Sequence, residues 1–287
     1  MQIYKPVFII GSFRGGTSLL FRLLSESSEL WSLYRESNFM WQPWHRDANE
    51  LADTIYLKAE DLKGCDRSYF DKHYHFSSYD NYFLGFLGRV KFLRQKLKWI
   101  FDLMNILNFI YKSIKLTLSK QNLYRFIDKT PPNAFRIPFL ADLYPDAKFI
   151  YLKREPEANL NSLMKAWNAP RHFQFKFREY LNAIMGGEPE IKGYSGKVWK
   201  FAMPKGFKKL WQGFSLEEIC EFQYSETHKA INNSLRDIHG NRFIEINFED
   251  FLADPDNKIK YLCDFLDINY SKQMQKLVQK MPRVNSD

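Results

Sequence analysis

The chain has 287 residues, with 42 Lys and Arg against 33 Asp and Glu, giving a formal charge of +9. Hydrophobic residues at 45% and charged residues at 26% exclude a disordered or low-complexity chain, and the length suffices for a large core in one elaborated domain or two small ones. Three cysteines, Cys65, Cys220 and Cys263, are far apart and form no CxxC pair, which excludes a disulfide framework or zinc module and points to a reducing compartment.

The first ten residues carry one Lys and then an apolar run without a cleavage site, so no targeting signal is expected. Pro6 to Ile10 reads as a short buried parallel strand ending at Gly11. A glycine loop follows, and Leu19 to Leu24 has a helical pattern. Arg125 to Asp128 reads as a second strand, closed by Lys129-Thr130 and the break Pro131-Pro132. Ala134 to Tyr144 has helical spacing and stops at Pro145. Lys148 to Leu152 is the third strand, followed by Arg154-Glu155-Pro156 and a helix from Asn159 to Trp167. Arg242 to Ile246 is the fourth strand, and Leu252 to Leu266 a helix begun after Asp254-Pro255. Strands alternating with helices imply an α/β fold, a parallel sheet flanked by helices. The stretch from Gly186 to Gly213 reads as irregular structure or a flexible lid.

Charge is concentrated in one place. Between Phe83 and Lys120 lie eight basic residues and one acid, Asp102, on a pattern that repeats at three and four. A core-packed helix with a solvated basic face accounts for it, as does a surface for a membrane or an anionic acceptor. No nucleic-acid motif accompanies the segment, so no nucleic-acid partner is expected. No apolar run reaches the length of about 18 needed to span a bilayer. A cytoplasmic protein is expected, with peripheral membrane contact through 83–120 as its one route to a membrane.

Gly11-Ser12-Phe13-Arg14-Gly15-Gly16-Thr17-Ser18 has the spacing of a phosphate-binding loop between a strand and a helix. Glycines let backbone N–H groups converge on an anion, and the helix N-terminus adds positive potential. A nucleoside-triphosphate loop needs Lys after its last glycine, and here Thr17 stands there. The basic residue of the loop is Arg14, which suits a 5′-phosphate with a cation beside it.

In these residues the chain resembles the sulfotransferases that use 3′-phosphoadenosine 5′-phosphosulfate (PAPS). Their 5′-phosphosulfate loop is similar to Phe13 through Leu19. Their 3′-phosphate element, a strand ending in Arg with a Ser eight residues later, resembles Phe149 to Arg154 with Ser162. Asp128-Lys129-Thr130-Pro131-Pro132 is similar to their Lys-x-Pro turn, and Asn247 through Pro255, leading to Cys263–Asp267, to the close of their catalytic domain. The four blocks occur in family order. The match is to the bacterial and Golgi-type branch, because the Lys-Thr-His and C-terminal Arg-Lys-Gly motifs of the cytosolic branch are absent and Pro282-Arg283 does not replace them.

The resemblance implies a P-loop-like sulfotransferase fold with helical insertions, in a single domain over 1–287. The cofactor core would comprise about 6–36, 124–167 and 242–268, with acceptor-side insertions at about 37–123 and 168–240. It implies PAPS as co-substrate, PAP as product and no metal. Arg14 with Gly15, Gly16, Thr17 and Ser18 would hold the 5′-phosphosulfate, and Arg154 and Ser162 the 3′-phosphate. Lys129 would be a second cation at the sulfonate, and Glu36 the base, with His45 as the next candidate. The remaining histidines, among them His73, His75, His172, His228 and His239, lack a second metal-ligand element. The acceptor would be a small metabolite, a glycan or a lipid with a free hydroxyl. Trp41, Trp44, Trp99, Trp167, Trp199 and Trp211 lie in the intervening segments, either as stacking surfaces or as core. Two alternatives stand beside this reading: a nucleotide kinase-like enzyme with Asp128 on Mg²⁺, and a non-enzymatic basic module that binds membranes or polyanions, centred on 83–120.

Overall fold

The structure, a computed structural model, describes residues 2–33, 36–44, 56–64, 66–72, 74, 123–169, 181–183 and 185–281. The basic segment 83–120, and with it Trp99, lies outside the described residues, as do His45, His73, His75, His172 and the Pro282-Arg283 pair.

Five strands form a parallel sheet: β2 (Val7–Ile10), β3 (Trp31–Ser32), β5 (Phe126–Asp128), β6 (Lys148–Lys153) and β9 (Phe243–Asn247). Their spatial order is β3-β5-β2-β6-β9. Four of them, β2, β5, β6 and β9, fall where the sequence predicts strands, and β3 is too short to show a pattern. Two small parallel pairs flank the sheet: β1 (Gln2–Ile3) with β4 (Leu123–Tyr124), and β7 (Glu190–Lys192) with β8 (Gln212–Ser215).

Alternation along the strands sorts side chains onto two faces. Phe8, Ile10, Phe126, Phe149 and Tyr151 point into one core, which is closed by α2 (Ile137–Leu143) and by Ile231 and Leu235 of α4 (Leu216–Leu235). Val7, Ile9, Ile127, Ile150 and Leu152 point into the other. That core is covered by α1 (Thr17–Leu24), α5 (Phe248–Ala253), α6 (Pro255–Leu266) and α7 (Lys272–Gln279). A third cluster joins α3 (Pro156–Asn168) to α4 through Leu163, Trp167, Trp199, Phe207 and Trp211.

Three local expectations are revised. The stretch 186–213 contributes β7 and the start of β8, and its Trp199, Phe207 and Trp211 are buried, so it is packed onto α3 and α4 and is not an open lid. The helix expected from Leu252 to Leu266 is two helices. Asp254 ends α5, and its carboxylate accepts from Asn257 N–H at 3.3 Å to begin α6, with Pro255 at the first helical position. The segment from 134 to 144 opens as a short 3-10 turn, Pro131–Phe135, before α2. Trp41, Trp167, Trp199 and Trp211 are all core residues. Among the described residues no helix is long and apolar enough to cross a membrane.

The topology sets the site. The chain leaves the central strand β2 for β3 on one side, returns to β5 between them, and then crosses to β6 on the other. Parallel α/β sheets bind ligands at the carboxyl edge of such a reversal. The segments that leave β2, β3, β5 and β6 at that edge carry Arg14, Glu36, Lys129 and Arg154.

Candidate active site

The loop after β2 is shaped by two left-handed residues, Arg14 (φ 65°) and Gly16 (φ 86°). Gly15 N–H donates to Ser12 O at 3.0 Å, folding the loop back on itself. A Cβ on Gly16 would come within 2.3 Å of the Phe248 ring, and one on Gly11 within 2.7 Å of Leu152 O. Both positions therefore need glycine for close approach. Gly16 occupies the N-cap of α1 and no side chain caps that end. The first N–H groups of α1, including those of Thr17 and Ser18, are donors aimed at the loop, with the positive end of the helix dipole behind them.

The two blocks expected to bind the cofactor meet directly. Arg14 Nε donates to Ser162 Oγ at 3.3 Å, and Arg154 Nη1 donates to Arg14 O at 2.9 Å. Ser162 accepts with its oxygen and keeps its own proton for a ligand. The Arg154 guanidinium lies 5.2 Å from the centre of the Phe248 ring, and its buried Nε has no hydrogen-bond partner among the described residues. A buried cationic donor without an acceptor suits an anion.

Three supporting residues escape sequence reasoning. Asn159 is fully buried on α3, and its Nδ2 donates to Ser12 Oγ at 2.8 Å, latching α3 to the loop. Tyr224 on α4 donates its hydroxyl to Arg154 O at 3.2 Å. Phe248 flanks both Gly16 and Arg154. A polar Asn on the buried face of a helix was the one available signal.

On the β5 side, Lys129 Nζ lies 2.5 Å from Glu36 Oε1, with the side chains 11% and 24% exposed. Asn38 Nδ2 donates to Glu36 Oε2 at 3.0 Å. The candidate base and candidate cation are thus partners. Just beneath them Asp128 is buried and accepts from Ser37 Oγ (2.7 Å), Asn133 Nδ2 (2.8 Å) and Thr130 Oγ1 (2.9 Å). Burial raises its carboxyl above the usual carboxylate range, and those three hydrogen bonds oppose the rise. Because these donors occupy both oxygens, Asp128 offers no open face for Mg²⁺, which removes the basis of the kinase-like alternative. Among the described residues no group of three or more His, Cys, Asp and Glu is placed to hold a metal ion.

A loop of anion-directed N–H groups, two arginines and a carboxylate paired with a lysine form an edge suited to transferring an anionic group. A model of the sulfotransferase family matches residues 6–186, and a sulfotransferase domain model matches residues 122–287. No curated protein matches the chain. Among solved structures, the sulfotransferase domain from the curacin biosynthetic pathway is 16% identical and aligns over 100% of this chain and 82% of its own, with a TM-score of 0.49. A sulfotransferase from Mycobacterium tuberculosis H37Rv is 16% identical over 99% of this chain and 73% of its own, TM-score 0.47. A mouse sulfotransferase complexed with PAP is 11% identical over 97% and 64%, TM-score 0.42. Matched by the family model over more than half its length, the chain belongs to the sulfotransferase family.

Proposed function

We propose that this sulfotransferase moves the sulfonate of PAPS to a hydroxyl acceptor by in-line displacement, with Glu36 as base. The acceptor oxygen attacks sulfur as its proton passes to Glu36. The bond from sulfur to the bridging oxygen breaks, and its electron pair stays on the 5′-phosphate of PAP. Arg14 and the N–H groups of Gly15, Gly16, Thr17 and Ser18 stabilise the charge that grows on that phosphate. Lys129 neutralises the sulfonate oxygens, and Arg154 with Ser162 takes the 3′-phosphate.

The observation that carries this reading is the Arg154–Arg14–Ser162 chain of hydrogen bonds, which ties the 5′-loop to the 3′-element. Support for one domain comes from the central sheet, whose strands are drawn from all three core segments. The intervening segments, about 37–123 and 168–240, form the acceptor side in this reading, although α4 within the second also braces Arg154. The acceptor is a small molecule, a glycan or a lipid bearing a hydroxyl. A cytoplasmic site of action fits the free buried thiols Cys220 and Cys263, with 83–120 as the surface for any membrane contact.

Calorimetry with PAP and AMP tests the site. Arg154→Ala is expected to weaken PAP much more than AMP, since only PAP carries the 3′-phosphate. Equal losses for both nucleotides would remove the assignment.

A further inference from the structure

We propose that Asp128 is a positioning residue of the transfer site, the anchor of a buried hydroxyl clamp that sets Glu36 against Lys129; this rests on the reading of those two residues as base and cation. Asp128 ends β5, is 3% exposed, and stands immediately before Lys129. Its partners come from two places. Thr130 and Asn133 belong to the turn that carries Lys129. Ser37 belongs to a segment 91 residues away and stands immediately after Glu36. Two bonds cross between the segments: Ser37 Oγ to Asp128 Oδ2 at 2.7 Å, and Ser37 N–H to Thr130 Oγ1 at 2.8 Å. They fix the chain next to each member of the Glu36–Lys129 pair.

Proton accounting explains why a carboxylate stands there. An ionised carboxylate only accepts. Ser37 and Thr130 each give their one hydroxyl proton to Asp128, which frees Thr130 Oγ1 to accept from Ser37 N–H. The 3.0 Å approach of the two hydroxyl oxygens follows from both pointing at one acid. The Tyr74 hydroxyl, 3.5 Å from Oδ2, closes the far side. A neutral amide at 128 would turn a donor toward one of these hydroxyls and break the pattern. Burying a charge is costly unless its lone pairs are filled, and here the filling also sets the register of the two segments.

Thr130→Val tests the clamp, because it removes one hydroxyl at nearly constant volume. The assay is PAP released from PAPS with water as acceptor, together with PAP calorimetry and a crystal structure of the variant. Misplaced catalytic groups cost about tenfold or more in rate, so Thr130→Val and Ser37→Ala are each expected to lose at least that much turnover. PAP affinity should stay within about twofold in both, on the scale where a tenfold change is about 1.4 kcal/mol. Thr130→Ser should restore the rate, and the Thr130→Val crystal structure should show the Glu36–Lys129 contact opened. Should Thr130→Val fold poorly, Ser37→Ala gives the same rate and structure readouts. An intact Glu36–Lys129 contact in the variant overturns the proposal, as does normal turnover in variants of a protein that Glu36→Gln slows. If Glu36→Gln is as fast as wild type, the base assignment falls instead, and the contact distance in the variant crystals still decides the clamp.

Discussion

Lys129 Nζ and Glu36 Oε1 stand 2.5 Å apart in a largely buried ion pair, so the proposed base touches the proposed sulfonate-facing cation. In the proposed mechanism, as an acceptor hydroxyl loses its proton to Glu36, the carboxylate loses charge and Lys129 is freed to meet the sulfonate oxygens. Charge transfer at one group thus strengthens the other at the moment it is needed.

Glu36→Gln is therefore expected to lower transfer by about 10²-fold or more, the usual scale for a general base, with PAP affinity close to wild type. Single-turnover rates and PAP calorimetry measure the two quantities separately. Full turnover in the variant would make Glu36 a structural partner of Lys129 and pass the role to His45.

Gly16→Ala should damage nucleotide binding more than folding. The position has φ 86°, and the added Cβ would fall 2.3 Å from the Phe248 ring. A left-handed L-residue costs about 1–2 kcal/mol by itself. The clash then pushes Phe248 from its place beside Arg154. Gly186→Ala is the control, with φ 77° and open space around its Cβ. PAP affinity is expected to fall at least about tenfold in Gly16→Ala, a loss of about 1.4 kcal/mol, and to hold in Gly186→Ala. The same affinity loss in both variants would mean that backbone strain, and not the approach of Phe248, sets the requirement.

The loop and the three strands around it are legible in the sequence because buried parallel strands are short unbroken apolar runs and the glycines punctuate them. Arg14, Lys129 and Arg154 follow from where those runs end. The 20-residue α4 leaves no such trace. Its buried face includes Gln223, Thr227 and His228 among apolar residues, and polar residues inside a stripe erase the helical period. Gln223 is buried because its amide serves Lys200 O, Ala202 O and the Trp167 indole, partners that the linear sequence does not bring near it. The Asp128 clamp is hidden for the same reason. Ser37 and Asp128 are far apart in sequence, and a hydroxyl beside a glutamate has no pattern of its own. Strands as short as β1 and β3 are set wholly by their neighbours.

Tyr224→Phe tests the support behind Arg154. It removes the 3.2 Å hydrogen bond to Arg154 O and leaves the ring in place. One such bond contributes about 1 kcal/mol, so PAP affinity should drop about fivefold while AMP affinity is unchanged. A variant that binds PAP as wild type does would show that β6 and α3 hold Arg154 without α4.

The last expectation concerns pH and stability, and rests on His228. This residue is 7% exposed; its Nδ1 bonds the Tyr151 hydroxyl, its Nε2 has no partner among the described residues, and the Tyr224 ring lies 4.1 Å away. Burial pushes its pKa down to about 4, with the Lys153 charge adding to the fall. The folded state therefore keeps a neutral ring where the unfolded chain, with an ordinary value of 6.5, takes up a proton. Above pH 6.5 neither state is charged and nothing is lost. Between 6.5 and 4 the unfolded state gains the proton alone, and stability falls by about 1.4 kcal/mol per unit, about 3 kcal/mol in all. Below 4 both states are protonated and the loss levels off. Asp71 and Asp128, whose carboxyls burial raises, act in the opposite sense, so the contribution is the difference between wild type and a variant. His228→Gln keeps an acceptor for Tyr151 and does not titrate. Urea unfolding at pH 7 and pH 4.5 should show wild type losing about 2–3 kcal/mol more than His228→Gln over that interval. Matching losses would place the proton on His228 in both states and refute the buried neutral ring.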